Sequence, residues 1–158
     1  MRKSSLSILG VLGLTLAFAL GASAQASRKS VSAAEVNGTF RMNFQGKFRK
    51  FSDEIKILAL GGGKIRIALD LIYPYTTRSG EPSVNMGGLD AEADIEADVA
   101  KYTSDDGKCT ITIKFVRAGT IKVTQDGSDG ECGFGHNVFA QGTYTKVSSK
   151  KPTFEETN

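Results

Sequence analysis

Apolar and polar residues alternate with a period of two through nearly every segment between residues 39 and 147 of this 158-residue chain. The clearest case is "CTITIKF" (109–115), where Cys109, Ile111, Ile113 and Phe115 alternate with polar residues. Successive side chains of a strand point to opposite faces, so this period predicts strands with one buried face and one exposed face. The chain is therefore predicted to be all-β.

Glycine-containing turns separate the alternating segments. "GGGK" (61–64) and "DDGK" (105–108) are short turns, whereas "YPYTTRSGEP" (73–82) and "DGSDGE" (126–131) are longer loops. Glycine supplies the positive φ that tight hairpin turns require. With an opening strand near 39–45 and a final strand from about 136 to 147, seven or eight strands follow one another. This order predicts a small antiparallel up-and-down barrel, with a β-sandwich as the alternative.

The stretch "GGLDAEADIEADVAKY" (87–102) places alanine and isoleucine on one face of a strand and acids on the other. We call these acids the acidic ladder: Asp90, Glu92, Asp94, Glu96 and Asp98. A helix is the competing interpretation, and "EAD" is alternatively a tight turn between two short strands. Alternate strand residues lie about 6.6–7 Å apart, too far for one strand to surround a calcium ion. A solvated or lysine-paired face is one interpretation, and a docking surface for a basic partner is the other.

The first residues have the pattern of a secretory signal peptide. Arg2 and Lys3 precede an apolar run, 6–20, which is followed by small residues up to Ala26. The run falls short of the roughly 20 residues that a membrane-spanning helix needs, which disfavours an uncleaved anchor. We expect a signal peptide over 1–24, cleaved near Ala24 or Ala26, and a mature periplasmic or secreted protein without a transmembrane anchor.

The remaining chain is predicted to form one domain. Residues 25–35 are polar, small and without periodicity, which indicates a flexible lead. The strand pattern fills 36–147, the predicted barrel domain, and 148–158 has the composition of a flexible tail.

Two cysteines, Cys109 and Cys132, form an even count in a chain predicted to be exported, which indicates one disulfide bond. Zinc binding by these thiols and His136 is an alternative, but it lacks an obvious fourth ligand and needs reduced thiols outside the cell. Cysteine–histidine catalysis is also disfavoured, since a bridged cysteine is not a nucleophile. We expect no metal site and no cofactor.

Charge and motifs argue against nucleic-acid binding and against enzyme activity. Removing Arg2 and Lys3 from the 20 basic residues leaves 18, against 17 acidic residues, so the mature chain is nearly neutral. "LGGGK" (60–64) lacks the spacing of a phosphate-binding loop, and neither G-x-S-x-G nor H-E-x-x-H occurs. The chain has a single histidine. We therefore expect a non-enzymatic protein without a nucleic-acid partner.

The segments "CTITIKF" (109–115), "GTIKVTQ" (119–125) and "CGFGHNVFAQGTY" (132–144) resemble short exported bacterial proteins, mostly uncharacterised, that end in a disulfide-stapled β-meander. In size, compartment and single bridge the chain is more loosely similar to periplasmic lysozyme inhibitors, small barrels that plug the cleft of a basic enzyme through a loop. These resemblances imply a binding or inhibitory module, with a basic extracytoplasmic protein as its expected partner. The alternative is a lipocalin-like carrier of a small apolar ligand.

Overall fold

A computed structural model describes residues 30–154 of the chain. The predicted signal peptide, its cleavage site and residues 155–158 of the predicted tail lie outside the described residues. One short helix, one 3₁₀ turn and eight strands follow one another along the chain. They are α1 (Ala33–Val36), β1 (Gly38–Asn43), the 3₁₀ turn (Gly46–Phe48), β2 (Ser52–Gly61), β3 (Lys64–Thr76), β4 (Pro82–Glu96), β5 (Val99–Thr103), β6 (Thr110–Arg117), β7 (Thr120–Asp126) and β8 (Gly142–Ser148).

The eight strands form a closed antiparallel barrel in simple meander order. Each strand pairs with the next along the chain, and β8 returns to β1 with Thr145 opposite Arg41. Closure gives every strand a neighbour on both sides, although β4 pairs with β5 only over residues 94–96. The predicted up-and-down barrel is confirmed, and the alternative sandwich is not the fold.

Large apolar side chains occupy the barrel interior. The ring of Phe40 on β1 meets the ring of Phe115 on β6 edge to face, with centroids 6.4 Å apart, so side chains from non-adjacent strands touch. An eight-stranded barrel is just wide enough for its own side chains to fill. The core side chains with almost no exposure include Phe40, Ile55, Ile57, Ile65, Ile67, Leu71, Ile111, Ile113, Ile121, Val123 and Tyr144.

One end of the barrel, the short-turn end, carries the turns at 62–63, 97–98 and 118–119 and is covered by α1. Val36 is buried there. The Lys146 ammonium, on β8, donates hydrogen bonds to the carbonyls of Ala34, Glu35 and Asn37 at 2.8–3.1 Å. Orphan carbonyls at a helix C-terminus need such partners, so this lysine fixes α1 over the core. This helix begins within the segment predicted to be a flexible lead.

The opposite end, the long-loop end, carries the loops 44–51, 77–81, 104–109 and 127–141. Strands β3 and β4 extend past the barrel here as a two-stranded projection that reaches Thr76 and Pro82. The predicted loop over 73–82 is therefore too long, because only 77–81 connects the two strands. Pro74 is tolerated because β2 begins at Ser52 and has no residue left to pair with this part of β3.

The predicted final strand from 136 is also wrong at its start, since β8 begins at Gly142. Phe134, Val138 and Ala140 are buried in the core cluster instead of alternating along a strand. The segment 127–141 folds across the long-loop end because its apolar side chains seal the barrel there.

No helix among residues 30–154 has the length and apolar character to cross a bilayer.

Candidate functional site

The acidic ladder lies on β4 and the turn that follows it. Asp90, Glu92, Asp94 and Glu96 are exposed on the outer face of β4. Asp98 falls instead in the two-residue turn before β5, where Ala97 has a positive φ of 55°. The "EAD" stretch is thus a tight turn between strands, and the alternative helix is not formed.

Two acids of the ladder are paired with cations of β3. The Arg66 guanidinium donates to both carboxylate oxygens of Asp90 at 2.9 Å. The Lys64 ammonium lies 2.5 Å from an Asp94 oxygen. Among residues 30–154, no ion pair joins Glu92, Glu96 or Asp98 to a cation. The pairing of Asp90 and Asp94 agrees with a lysine-paired face, and exposed pairs of this kind contribute little to stability.

The two cysteines are joined, as predicted. The Cys109–Cys132 disulfide links the start of β6 to the loop 127–141, with Cα atoms 4.9 Å apart. In the loop-entropy model, a bridge closing a loop of this length contributes about 3 kcal/mol. The disulfide holds this loop against the long-loop end of the barrel, where β3 and β4 project.

The first half of the loop 127–141 is a compact turn built around two acids. The Glu131 carboxylate accepts hydrogen bonds from the backbone and hydroxyl of Ser128 at 2.8 Å. The Asp129 carboxylate accepts from the backbone N–H of Asn137 at 2.6 Å and of Gly130 at 2.8 Å. These bonds hold the pKa of both carboxyls below their ordinary values. The turn is therefore ordered by its own side chains.

The second half of the loop is fixed to the β3–β4 projection. The Gly135 N–H donates to the Met86 carbonyl at 3.0 Å, and the Asn85 side-chain amide donates to the His136 carbonyl at 2.7 Å. Phe134 and Val138 pack against Gly87, where an added Cβ would lie 2.8–2.9 Å from their side chains. Glycine at this position is what lets the loop approach the strand so closely.

These contacts create a shallow depression, the tyrosine groove, between the projection and the loop. Its lining residues are Tyr73, Tyr75, Asn85, His136 and Asn137. Tyr73 is 40% exposed, and Tyr75 is partly exposed. The groove combines two phenol rings with amide and imidazole groups, which suits recognition of a partner carrying both apolar and hydrogen-bonding groups.

The imidazole of His136 is exposed where it lines the groove. The His136 side chain is 82% exposed, and its Nδ1 lies 3.8 Å from an Asp129 oxygen, beyond hydrogen-bond distance. Both cysteines are consumed by the disulfide. Within 30–154, no three His, Cys, Asp or Glu side chains come together as a metal site.

The tyrosine groove was missed by sequence reasoning, because "YPYT" was assigned to a loop. The sequence does carry a signal for these residues, since Tyr73 and Tyr75 keep the period of two that begins at Ile65.

The sequence pattern also does not reveal that Asp53 is buried. It is 1% exposed, its carboxylate accepts the Ile72 N–H at 2.8 Å, and burial raises its pKa to about 6.

No family model, curated protein or solved structure matches this chain.

Proposed function

We propose that this chain is an exported, non-enzymatic binding or inhibitory module that captures another protein at the tyrosine groove. One observation carries the proposal: the exposed Tyr73 and the partly exposed Tyr75 lie beside a loop held by a disulfide and hydrogen bonds, at the end of a barrel whose interior is filled. The compartment follows from the signal-peptide pattern of the sequence, and the disulfide is consistent with it.

The tyrosine groove has the properties of an interface centre. Tyrosine is enriched among residues that dominate binding energy, since it offers a large amphipathic surface for the loss of little side-chain freedom. The loop 127–141 is held by the disulfide, by Phe134 and Val138, and by the hydrogen bonds of Asp129. A loop ordered before binding loses little entropy on association, which favours affinity.

The packed interior disfavours the carrier alternative. A lipocalin-like carrier needs a cavity inside the barrel, whereas here Phe40 and Phe115 touch across the interior. The α1 helix and the loop 127–141 cover the two ends. A ligand would have to displace core side chains in order to enter, which costs several kcal/mol of packing.

The acidic ladder supports a basic partner, and it is the competing docking surface. Glu92, Glu96 and Asp98 form no ion pair with a described cation, although the charge of Lys64 acts on Glu92, whereas Asp90 and Asp94 are engaged with β3. We assign the contact to the tyrosine groove because surface charges contribute more to encounter and specificity than to affinity.

Site-specific cross-linking tests this assignment. The photoreactive residue p-benzoylphenylalanine is placed at Tyr73, at Glu92 on the ladder, or at Val147. Val147 is an exposed apolar residue near the opposite end of the barrel and serves as the matched control. Each variant is expressed in the native host, irradiated, purified under denaturing conditions and analysed by mass spectrometry.

We expect one protein to be cross-linked from position 73 and not from position 147. Capture from position 92 alone would transfer the site to the ladder. Absence of any position-dependent product would contradict the binding function. A small apolar molecule retained in native mass spectra of the purified protein would instead favour the carrier.

A further inference from the structure

Beyond the tyrosine groove, the long-loop end carries a second surface of different chemistry. Its residues come from the β1–β2 loop and the β3–β4 turn. We call it the basic–aromatic patch: Lys47, Phe48, Arg49, Lys50, Phe51 and Arg78. We propose that this patch docks the protein onto the surface of a bilayer containing anionic phospholipids.

The patch is an ordered surface. The loop 44–51 is closed at its neck by the Phe44 N–H, which donates to the Phe51 carbonyl at 3.2 Å. The Lys47 ammonium donates to the Thr76 hydroxyl at 2.7 Å, which ties this loop to the end of β3. Lys47, Phe48 and Thr76 line one depression together with Gly80, two residues after Arg78. The two loops therefore form a continuous surface.

Most of the charge of the patch has no ion-pair partner among residues 30–154. Its two loops, 44–51 and 77–81, carry four cations and one acid, Glu81. Within the described part of the chain, no carboxylate forms an ion pair with Arg49, Lys50 or Arg78. By contrast, Arg41 and Lys64 on the barrel wall are paired with Glu54 and Asp94. The mature chain is nearly neutral overall, so attraction to an anionic surface would come from this region.

The aromatic residues favour a bilayer over a nucleic acid. The ring centroids of Phe48 and Phe51 lie 6.3 Å apart, and the Lys47 ammonium lies 5.0 Å from the Phe48 centroid. Both rings are only partly exposed. Stacking of a base needs an open ring face, whereas contact with acyl chains needs only some accessible apolar surface. Phenylalanine among lysine and arginine at an exposed loop instead suits the interfacial region, where rings contact acyl chains and cations contact phosphates.

Vesicle flotation tests the docking. The secreted form of the protein is used, because the apolar run 6–20 would itself insert into lipid. It is mixed with vesicles of phosphatidylcholine alone or of phosphatidylcholine with phosphatidylglycerol, at low and at physiological salt. Soluble inorganic polyphosphate is added in a separate arm as a competitor that carries phosphate without a bilayer.

Two charge-matched variants separate the patch from net charge. The patch variant is K47Q/R49Q/K50Q/R78Q. The control variant, K56Q/K101Q/K114Q/K122Q, removes four cations from the barrel wall that have no ion pair among residues 30–154. A third variant, F48S, tests the aromatic contribution. The thermal unfolding midpoint of each variant shows whether the barrel is intact.

We expect the wild type and the control variant to float with the anionic vesicles, and binding to fall as salt rises. The patch variant should bind roughly 100-fold more weakly, since each cation near an anionic surface contributes several-fold. F48S should bind more weakly at both salt concentrations. Equal loss in the control variant, equal binding to phosphatidylcholine alone, or binding to polyphosphate but not to vesicles would overturn the proposal. None of these outcomes bears on the cross-link at Tyr73.

Discussion

At the residue scale, Asp53 is the least expected feature of the core. Its carboxyl is buried near Tyr144, the Ile72 N–H satisfies one oxygen, and both burial and the charge of Asp70 raise its pKa. Burial also raises the pKa of the Tyr144 phenol, whose hydroxyl donates to the Ala140 carbonyl at 2.9 Å. The long-loop end of the core is thus polar, which an alternation pattern alone does not reveal.

Asp53 predicts a specific pH dependence of stability. Its folded pKa of about 6 lies above the ordinary 3.8, so the folded protein binds the proton more tightly than the unfolded chain does. The free energy of unfolding should therefore fall as pH rises from about 4 to about 6, by at most about 3 kcal/mol. In Asp53→Asn this fall should be absent, and stability at pH 7 should be equal or higher.

Urea unfolding of both proteins at pH 4, 5, 6 and 7 measures the effect. Asp105→Asn, which changes an exposed acid, is the control and should keep the wild-type slope. The low-pKa carboxyls of Asp129 and Glu131 lose their stabilising contribution only as pH falls further, through their lowered pKa values. An unchanged slope in Asp53→Asn would show that the buried carboxyl does not titrate in this range.

At the element scale, the alternating pattern predicts most of the strands but not the residues at which they begin and end. The "EAD" turn is one of three interpretations that the sequence leaves open, beside a continuous strand and a helix, because Ala97 and Asp98 continue the alternating pattern into the turn. The predicted start of β8 at about 136 is wrong because Val138 and Ala140 are apolar at a spacing of two, yet they bury their side chains from an irregular loop. A period of two in the sequence indicates that one side of a segment is buried. In the loop 127–141, packing against the barrel provides that burial although the segment is not a strand.

The contact between the loop 127–141 and β4 is open to a direct test at Gly87. A Cβ at this position would overlap Phe134 and Val138, so Gly87→Ala should displace the loop and destabilise the protein by about 1–3 kcal/mol. Gly88→Ala is the matched control, because its Cβ would lie 3.6 Å from the nearest atom, in ordinary contact. Thermal midpoints and limited proteolysis of the loop compare the two variants, and equal behaviour would argue against the loop as the seal of the barrel.

At the scale of the whole molecule, the fold brings together charges that the sequence separates. Ten basic and four acidic residues lie between Arg28 and Arg78, and eight acidic and one basic between Glu81 and Asp106. Because β3 pairs with β4, part of this charge is neutralised in the Lys64–Asp94 and Arg66–Asp90 pairs. We call Glu92, Glu96 and Asp98 the negative area, since none of them forms an ion pair with a described cation, although Lys101 and Lys114 line the same depression as Glu96 and Asp98. The basic–aromatic patch lies near the opposite end of the barrel.

The negative area and the tyrosine groove should affect different rate constants for a basic partner. Charges act over distance and raise the rate of encounter, whereas a packed aromatic contact slows dissociation. For the protein cross-linked at position 73, the variant E92Q/E96Q/D98N should lower the association rate constant about 3–10-fold at low salt. At about 1 M salt, where the Debye length falls to about 3 Å, the same variant should change the association rate constant by less than about twofold. Tyr73→Ala should instead raise the dissociation rate constant at both salt concentrations. Surface plasmon resonance measures both constants, and a ladder variant that speeds dissociation as much as Tyr73→Ala would show that the partner sits on the acids themselves.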